Sequence, residues 1–125
     1  MVNNLNDDLT KECFKKALES GINFFDTAEI YGLGKGETTF GKTIKELNIP
    51  REKIFILTKL FKIGDDPNDG FLFRKHICEA IKNSLKRLQL EYVDVIFCHR
   101  YDCGTPLEET CKAINWVINQ GYADY

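Results

Sequence analysis

Apolar positions in the first part of the chain recur at the spacing of one helical face. Leu9, Cys13, Phe14, Ala17 and Leu18 predict a helix over about residues 8–20, and Gly21 suits the position just past its end. The pattern then changes. Ile22-Asn23-Phe24-Phe25-Asp26 is short and aromatic and predicts a strand. Glycines 32, 34 and 36 predict a loop, followed by a helix from about Glu37 to Leu47 and a turn at Pro50. Residues 54–59, Ile-Phe-Ile-Leu-Thr-Lys, form a nearly continuous apolar run of the kind covered on both faces in parallel sheets. Asp65-Asp66-Pro67-Asn68-Asp69-Gly70 reads as a loop. A third helix spans about Phe71 to Leu88 with Ile77, Ile81, Leu85 and Leu88 on one face. A third strand spans Val93 to His99. Thr105-Pro106-Leu107-Glu108 combines a capping box with proline at the first helical position, and the helix it opens closes near Gly121.

Strands alternating with helices imply right-handed βαβ crossovers and a parallel sheet. The expected fold is α/β with about three strands and four helices, in a single domain over residues 1–125. A doubly wound sheet and part of a (β/α)₈ barrel both satisfy this pattern.

Composition narrows the partners. Hydrophobic residues at 43% and charged residues at 29% suit an ordinary globular domain. A net charge of −2 lacks the basic footprint of a nucleic-acid binder. No apolar run approaches the roughly 20 residues that span a bilayer, and the start, Met1-Val2-Asn3-Asn4-Leu5-Asn6, has no leader-like apolar stretch. The five cysteines form no C-x-x-C pair, which favours free thiols in a reducing, cytoplasmic compartment. Cys98, His99 and Cys103 cluster, but their spacing matches no zinc pattern, so no metal is expected.

Asp26, Lys59 and His99 each stand at the carboxyl end of a predicted strand. Side chains alternate between faces along a strand. Asp26 therefore shares a face with Phe24 and Ile22, Lys59 with Leu57 and Phe55, and His99 with Phe97, Val95 and Val93. Each polar residue ends an apolar stripe, as at the mouth of a filled barrel, and active sites of parallel α/β folds lie at that end. Tyr31 follows in the loop leaving the same rim; taken alone it reads as a loop aromatic covering the mouth.

The segment from Gly21 to Gly32, with Gly34, Glu37 and Gly41 after it, resembles the best-known signature of the aldo-keto reductases, although Gly36 stands where a serine is common. Further matches occur in order. Thr58-Lys59 is similar to the family's lysine-bearing strand, and Ser84-Leu85-Lys86-Arg87-Leu88 with Tyr92-Val93-Asp94 to its next signature. His99-Arg100-Tyr101-Asp102, Thr105 to Glu109 and Val117 to Ala123 resemble the strand end, helix start and strand approach that follow. The segments look closest to the branch that holds the potassium-channel β subunits and their microbial relatives.

The resemblance implies a (β/α)₈ barrel that reduces an aldehyde or ketone with NADPH. It also implies a catalytic tetrad of Asp26, Tyr31, Lys59 and His99, with Asp26 beside the cofactor. In that scheme Tyr31 protonates the carbonyl oxygen as hydride arrives. Lys59 stabilises the phenolate left behind, Asp26 holds Lys59, and His99 orients the carbonyl. The channel-subunit branch often has asparagine at the histidine position, so His99 favours reductase chemistry over a purely regulatory, channel-binding role. A complete barrel needs eight strands and about 250 residues. The expectation is therefore an incomplete barrel, inactive on its own, whose raw sheet edges invite self-association.

Overall fold

The computed structural model describes residues 7–125, so the N-terminal stretch read above for a leader lies outside the described residues. The order is α1 (Asp7–Glu19), β1 (Phe24–Asp26), α2 (Lys35–Glu46), a 3₁₀ turn (Arg51–Lys53), β2 (Phe55–Leu60), α3 (Arg74–Leu88), β3 (Val95–Cys98) and α4 (Leu107–Asn119). This is the α/β alternation expected, with three strands and four helices. The strands form one sheet in the order β1-β2-β3, and both pairings are parallel. Residues 122–125 lengthen the sheet past β3. Val93 N–H donates to Tyr122 O at 3.1 Å, Ile96 N–H to Tyr125 O at 2.8 Å, and Tyr125 N–H to Asp94 O at 2.9 Å.

The core lies between the outer face of the sheet and the helices. Ile56, Leu60 and Ile96 meet Ile77, Ile81 and Leu88 of α3, Ala113 and Val117 of α4, and Ile44 of α2. All four apolar residues predicted to share a face of α3 are buried. Each fully buried isoleucine or leucine contributes about 1.5–3 kcal/mol from its removal from water. This makes α3 the central helix, packed on α2, α4 and β2.

The predicted face of α1 holds only in part. Phe14 is buried, but Leu9 and Cys13 are exposed. The helix meets α2 and, through Phe14, Phe25 of β1 and Phe40, with ring centroids 4.0 and 5.0 Å apart. A helix with so little cover buries a narrow stripe. The capping box of α4 does not form. Pro106 is the N-cap without a side-chain cap bond, and Glu108 pairs instead with Lys112 one turn on, at 2.8 Å. Glu109 accepts the backbone N–H of Arg74 at 3.0 Å, tying the starts of α3 and α4 together.

Two buried ionic ties hold the layers. At the amino ends of the strands Asp94 Oδ2 accepts from Arg51 Nη2 at 2.5 Å and from the Ile56 N–H at 2.7 Å. Between α2 and α3 the fully buried Glu37 accepts from Thr58 Oγ1 at 2.6 Å and from Arg87 Nε at 2.7 Å. Gly41 allows the close approach of these two helices, since a Cβ there would lie 2.1 Å from the Leu88 carbonyl oxygen.

Candidate active site

The parallel register brings the strand ends to one rim. Asp26 lies beside Leu57, and Leu57 beside Val95; Lys59 lies beside Phe97. Facing residues in a parallel ladder share a side of the sheet, so Asp26, Lys59 and the aromatic residues Phe24, Phe55 and Phe97 line one face. Phe24 and Phe55 stack at 5.5 Å. The first residue after β3, His99, is held by its N–H to Leu60 O at 2.9 Å.

The four side chains named from the sequence meet. Lys59 Nζ contacts Asp26 Oδ1 directly. The same Nζ lies 5.0 Å from the centre of the Tyr31 ring. Tyr31 in turn meets the His99 ring edge-on, with centroids 5.8 Å apart. Lys59 is buried while Asp26 and Tyr31 reach solvent. The cation thus sits beneath the rim, with the phenol above it and the carboxylate to one side.

The turn that carries Tyr31 is built by glycine. Gly32, Leu33 and Gly34 all have left-handed backbone, with φ of 60°, 54° and 86°. Glycine adopts that region without steric cost. The run folds the chain back so that Gly36 N–H reaches Tyr31 O at 3.0 Å and α2 starts at once. Gly36, expected in the loop, lies in the first turn of α2.

Electrostatics fix the charge states. Burial works against the charge on Lys59, but the Asp26 carboxylate and the Tyr31 hydroxyl outweigh it, and the pKa of the ammonium sits above its usual value. His99 is pushed below the ordinary histidine value, first by burial and then by the Lys59 ammonium and Arg100. A neutral imidazole has one N–H to donate, and His99 is therefore suited to hydrogen-bond an oxygen without giving up a proton.

Sequence reasoning missed the support behind the rim. Glu29 is fully buried. Its Oε1 accepts the Phe61 N–H at 2.6 Å and lies 3.0 Å from His76 Nε2, whose Nδ1 is 3.2 Å from Asn68 O. The Glu29 N–H itself donates to Lys59 O at 3.1 Å. Glu29 therefore fastens the exit of β1 to the exit of β2 through both its main chain and its side chain. The one available signal was a glutamate two residues before Tyr31 inside an apolar stretch. Nothing in the sequence pairs it with His76, which lies 47 residues away.

Among the described residues no three histidine, cysteine, aspartate or glutamate side chains gather to hold a metal ion. All five cysteines carry free thiols. No helix among the described residues is long and apolar enough to cross a membrane.

A parallel βα array that gathers an ammonium, a carboxylate, a phenol and an imidazole at the carboxyl ends of its strands is of the (β/α)-barrel class. The chain belongs to the aldo/keto reductase family, whose model matches residues 2–125. Its backbone superimposes on a crystal structure of a thermostable aldo-keto reductase in complex with the inhibitor epalrestat. The TM-score is 0.84 at 35% identity, over 97% of this chain and 41% of that one. The observed open sheet is thus part of the barrel. Among curated relatives, the protein of Oryza sativa subsp. japonica named "Probable voltage-gated potassium channel subunit beta" is 46% identical over 123 residues. Its namesake in Arabidopsis thaliana is 48% identical over the same length. The chain spans 38% of the length of each.

Proposed function

We propose that this chain carries the acid–base part of an NADPH-dependent aldehyde or ketone reductase site. The contact of Lys59 with Asp26, beneath Tyr31 and beside His99, carries this reading. Tyr31 donates the proton that a developing alkoxide requires. Lys59 stabilises the resulting phenolate, and Asp26 keeps Lys59 charged and in place. His99, neutral, orients the carbonyl oxygen with a single hydrogen bond. The aromatic face of Phe24, Phe55 and Phe97 offers an apolar wall to a small carbonyl compound.

Bound NADPH would supply the hydride. Asp26, with more than half of its side chain exposed, is the acceptor this chain offers to a cofactor hydroxyl. The rim fits the reacting end of such a cofactor. Among the described residues, the cations that act on His99 are Lys59, committed to Asp26, and Arg100, which leaves little for the phosphates beside it. Residues 1–125 alone are accordingly proposed not to turn over at an appreciable rate.

A chimera tests both parts. In it, residues 1–125 replace the matching segment of the superimposable aldo-keto reductase. The chimera should oxidise NADPH in the presence of an aldehyde, and Tyr31→Phe should cost about 10²–10⁴-fold, the range of general acid catalysis. A folded chimera that is inactive, or one indifferent to Tyr31→Phe, overturns the reductase reading. Turnover by residues 1–125 alone that depends on Tyr31 overturns only the proposed inactivity.

The names of the two plant relatives favour a second reading, a regulatory module that binds a potassium channel. Recovery of this chain with a channel from solubilised membranes supports it, and recovery that is unchanged in Tyr31→Phe separates it from catalysis.

A further inference from the structure

Charge is unevenly placed on this chain. Its 17 lysines and arginines are outnumbered by 19 aspartates and glutamates. Helix α3 alone carries Arg74, Lys75, Lys82, Lys86 and Arg87 against one carboxylate, Glu79. Lys75 takes that carboxylate, and Arg87 is committed to Glu37. Arg74 and Lys82 form no ion pair with any carboxylate among the described residues. Both approach the same indole. The Arg74 guanidinium lies 5.8 Å and the Lys82 ammonium 5.4 Å from the Trp116 ring, which α4 presents between them. Arg74, Lys75, Cys78, Glu79, Lys82 and Trp116 line an open groove of about 530 Å³ between α3 and α4.

We propose that this groove binds an acidic peptide segment, in an extended conformation, with an aromatic residue between two carboxylates. Arg74 and Lys82 are two helical turns apart, and their charges, 5.8 and 5.4 Å from one ring centre, are separated by at most about 11 Å. An extended chain advances about 3.3 Å per residue and covers that distance in four residues. Its side chains at the first, third and fifth positions point to one face. Two carboxylates there meet Arg74 and Lys82, and an aromatic ring between them rests on Trp116. The net charge of the chain opposes a long polyanion such as a nucleic acid, and a groove admits a narrow ligand better than a flat lipid surface. The binding is independent of the reductase reading, since none of these residues is among Asp26, Tyr31, Lys59 and His99.

Trp116 is the chain's one tryptophan, so its fluorescence reports the groove directly. The probe is acetyl-Glu-Ala-Phe-Ala-Glu-amide, titrated into the full chain at low salt. A saturable change in Trp116 emission is expected, weaker with added salt and absent with the Gln-for-Glu or Lys-for-Glu peptide. Lys82→Gln and Arg74→Gln, both at exposed side chains, should each weaken binding by about fivefold, the upper range for an exposed charge pair. Lys82→Glu should abolish it, with circular dichroism unchanged. No saturable change, an equal response to the neutral peptide, or indifference to Lys82→Glu overturns the proposal. So does tighter binding of a short oligothymidylate or of phosphatidylserine vesicles than of the acidic peptide.

Discussion

Lys59 reaches across the β1–β2 ladder to touch Asp26, 33 positions earlier in the chain. The parallel register alone makes this possible, because it sets Lys59 one pleat beyond the partner of Asp26 on the same face. The pair is what keeps a buried ammonium charged against the pull of its surroundings. Asp26→Asn removes the carboxylate charge while keeping the shape. The Lys59 pKa should fall from its raised value, as followed by the pH dependence of its ε-methylene resonances. Because the folded value is raised, Lys59 contributes stability below about pH 10.4, lost as pH rises through the folded pKa. Asp26→Asn should remove that alkaline loss. An unchanged Lys59 titration would show that the contact does not set its charge.

Most of the fold was readable because few elements depend on distant partners. The run from Ile54 to Lys59 and the face from Ile77 to Leu88 are so apolar that only a covered strand and a core helix can use them. The rim residues were readable for a related reason: a charged side chain at the end of an apolar stripe has few places to go. Tyr31 was not readable by pattern, since its position is set by the left-handed turn at 32–34, and only the family resemblance pointed to it. Glu29 with His76, and Glu37 with Thr58 and Arg87, were invisible. A buried carboxylate is identified by partners 21 to 50 residues away, and no local rule supplies those. The α4 capping box failed because the helix starts one residue later than expected, which puts Pro106 at the N-cap with no side-chain acceptor and leaves Thr105 to Asp102.

The Glu37–Arg87 pair gives a stability test. Glu37 has no access to water, so removing its cation strands a buried charge. Arg87→Met should cost about 3 kcal/mol, the low end for breaking a buried pair because the arginine itself is partly exposed. Glu37→Gln combined with Arg87→Met should cost less than the sum of the two single changes. Urea denaturation midpoints at unchanged slope provide the measurement. Additive losses would mean that the two groups act independently.

Gly41 tests the approach of α2 to α3. At an open helical site alanine is favoured over glycine by about 1 kcal/mol. Here the new methyl would lie 2.1 Å from the backbone oxygen of Leu88, which is not the end of a flexible side chain. Overpacking of this kind costs about 1–3 kcal/mol and outweighs the propensity gain. Gly41→Ala should therefore lower the thermal midpoint. A raised midpoint would show that the two helices separate easily.

His99 ties the rim to pH. Burial, Lys59 and Arg100 all hold its folded-state pKa below the usual value of about 6.5. The unfolded chain therefore takes up a proton at this position before the native one does. Stability should be full above about pH 6.5, decline as pH falls below it, and stop declining below the folded midpoint. Lys59→Met removes one of the two cations that depress His99, so the His99 midpoint should move up toward 6.5. Proton NMR of the His99 Cε1–H through the acid range reads both quantities. A midpoint at or above 6.5 in the unmodified chain would mean that its surroundings do not disfavour the cation, and one above neutral pH that imidazolium, not imidazole, faces Tyr31. In that case His99 would compete with Tyr31 as proton donor instead of orienting the carbonyl beside it.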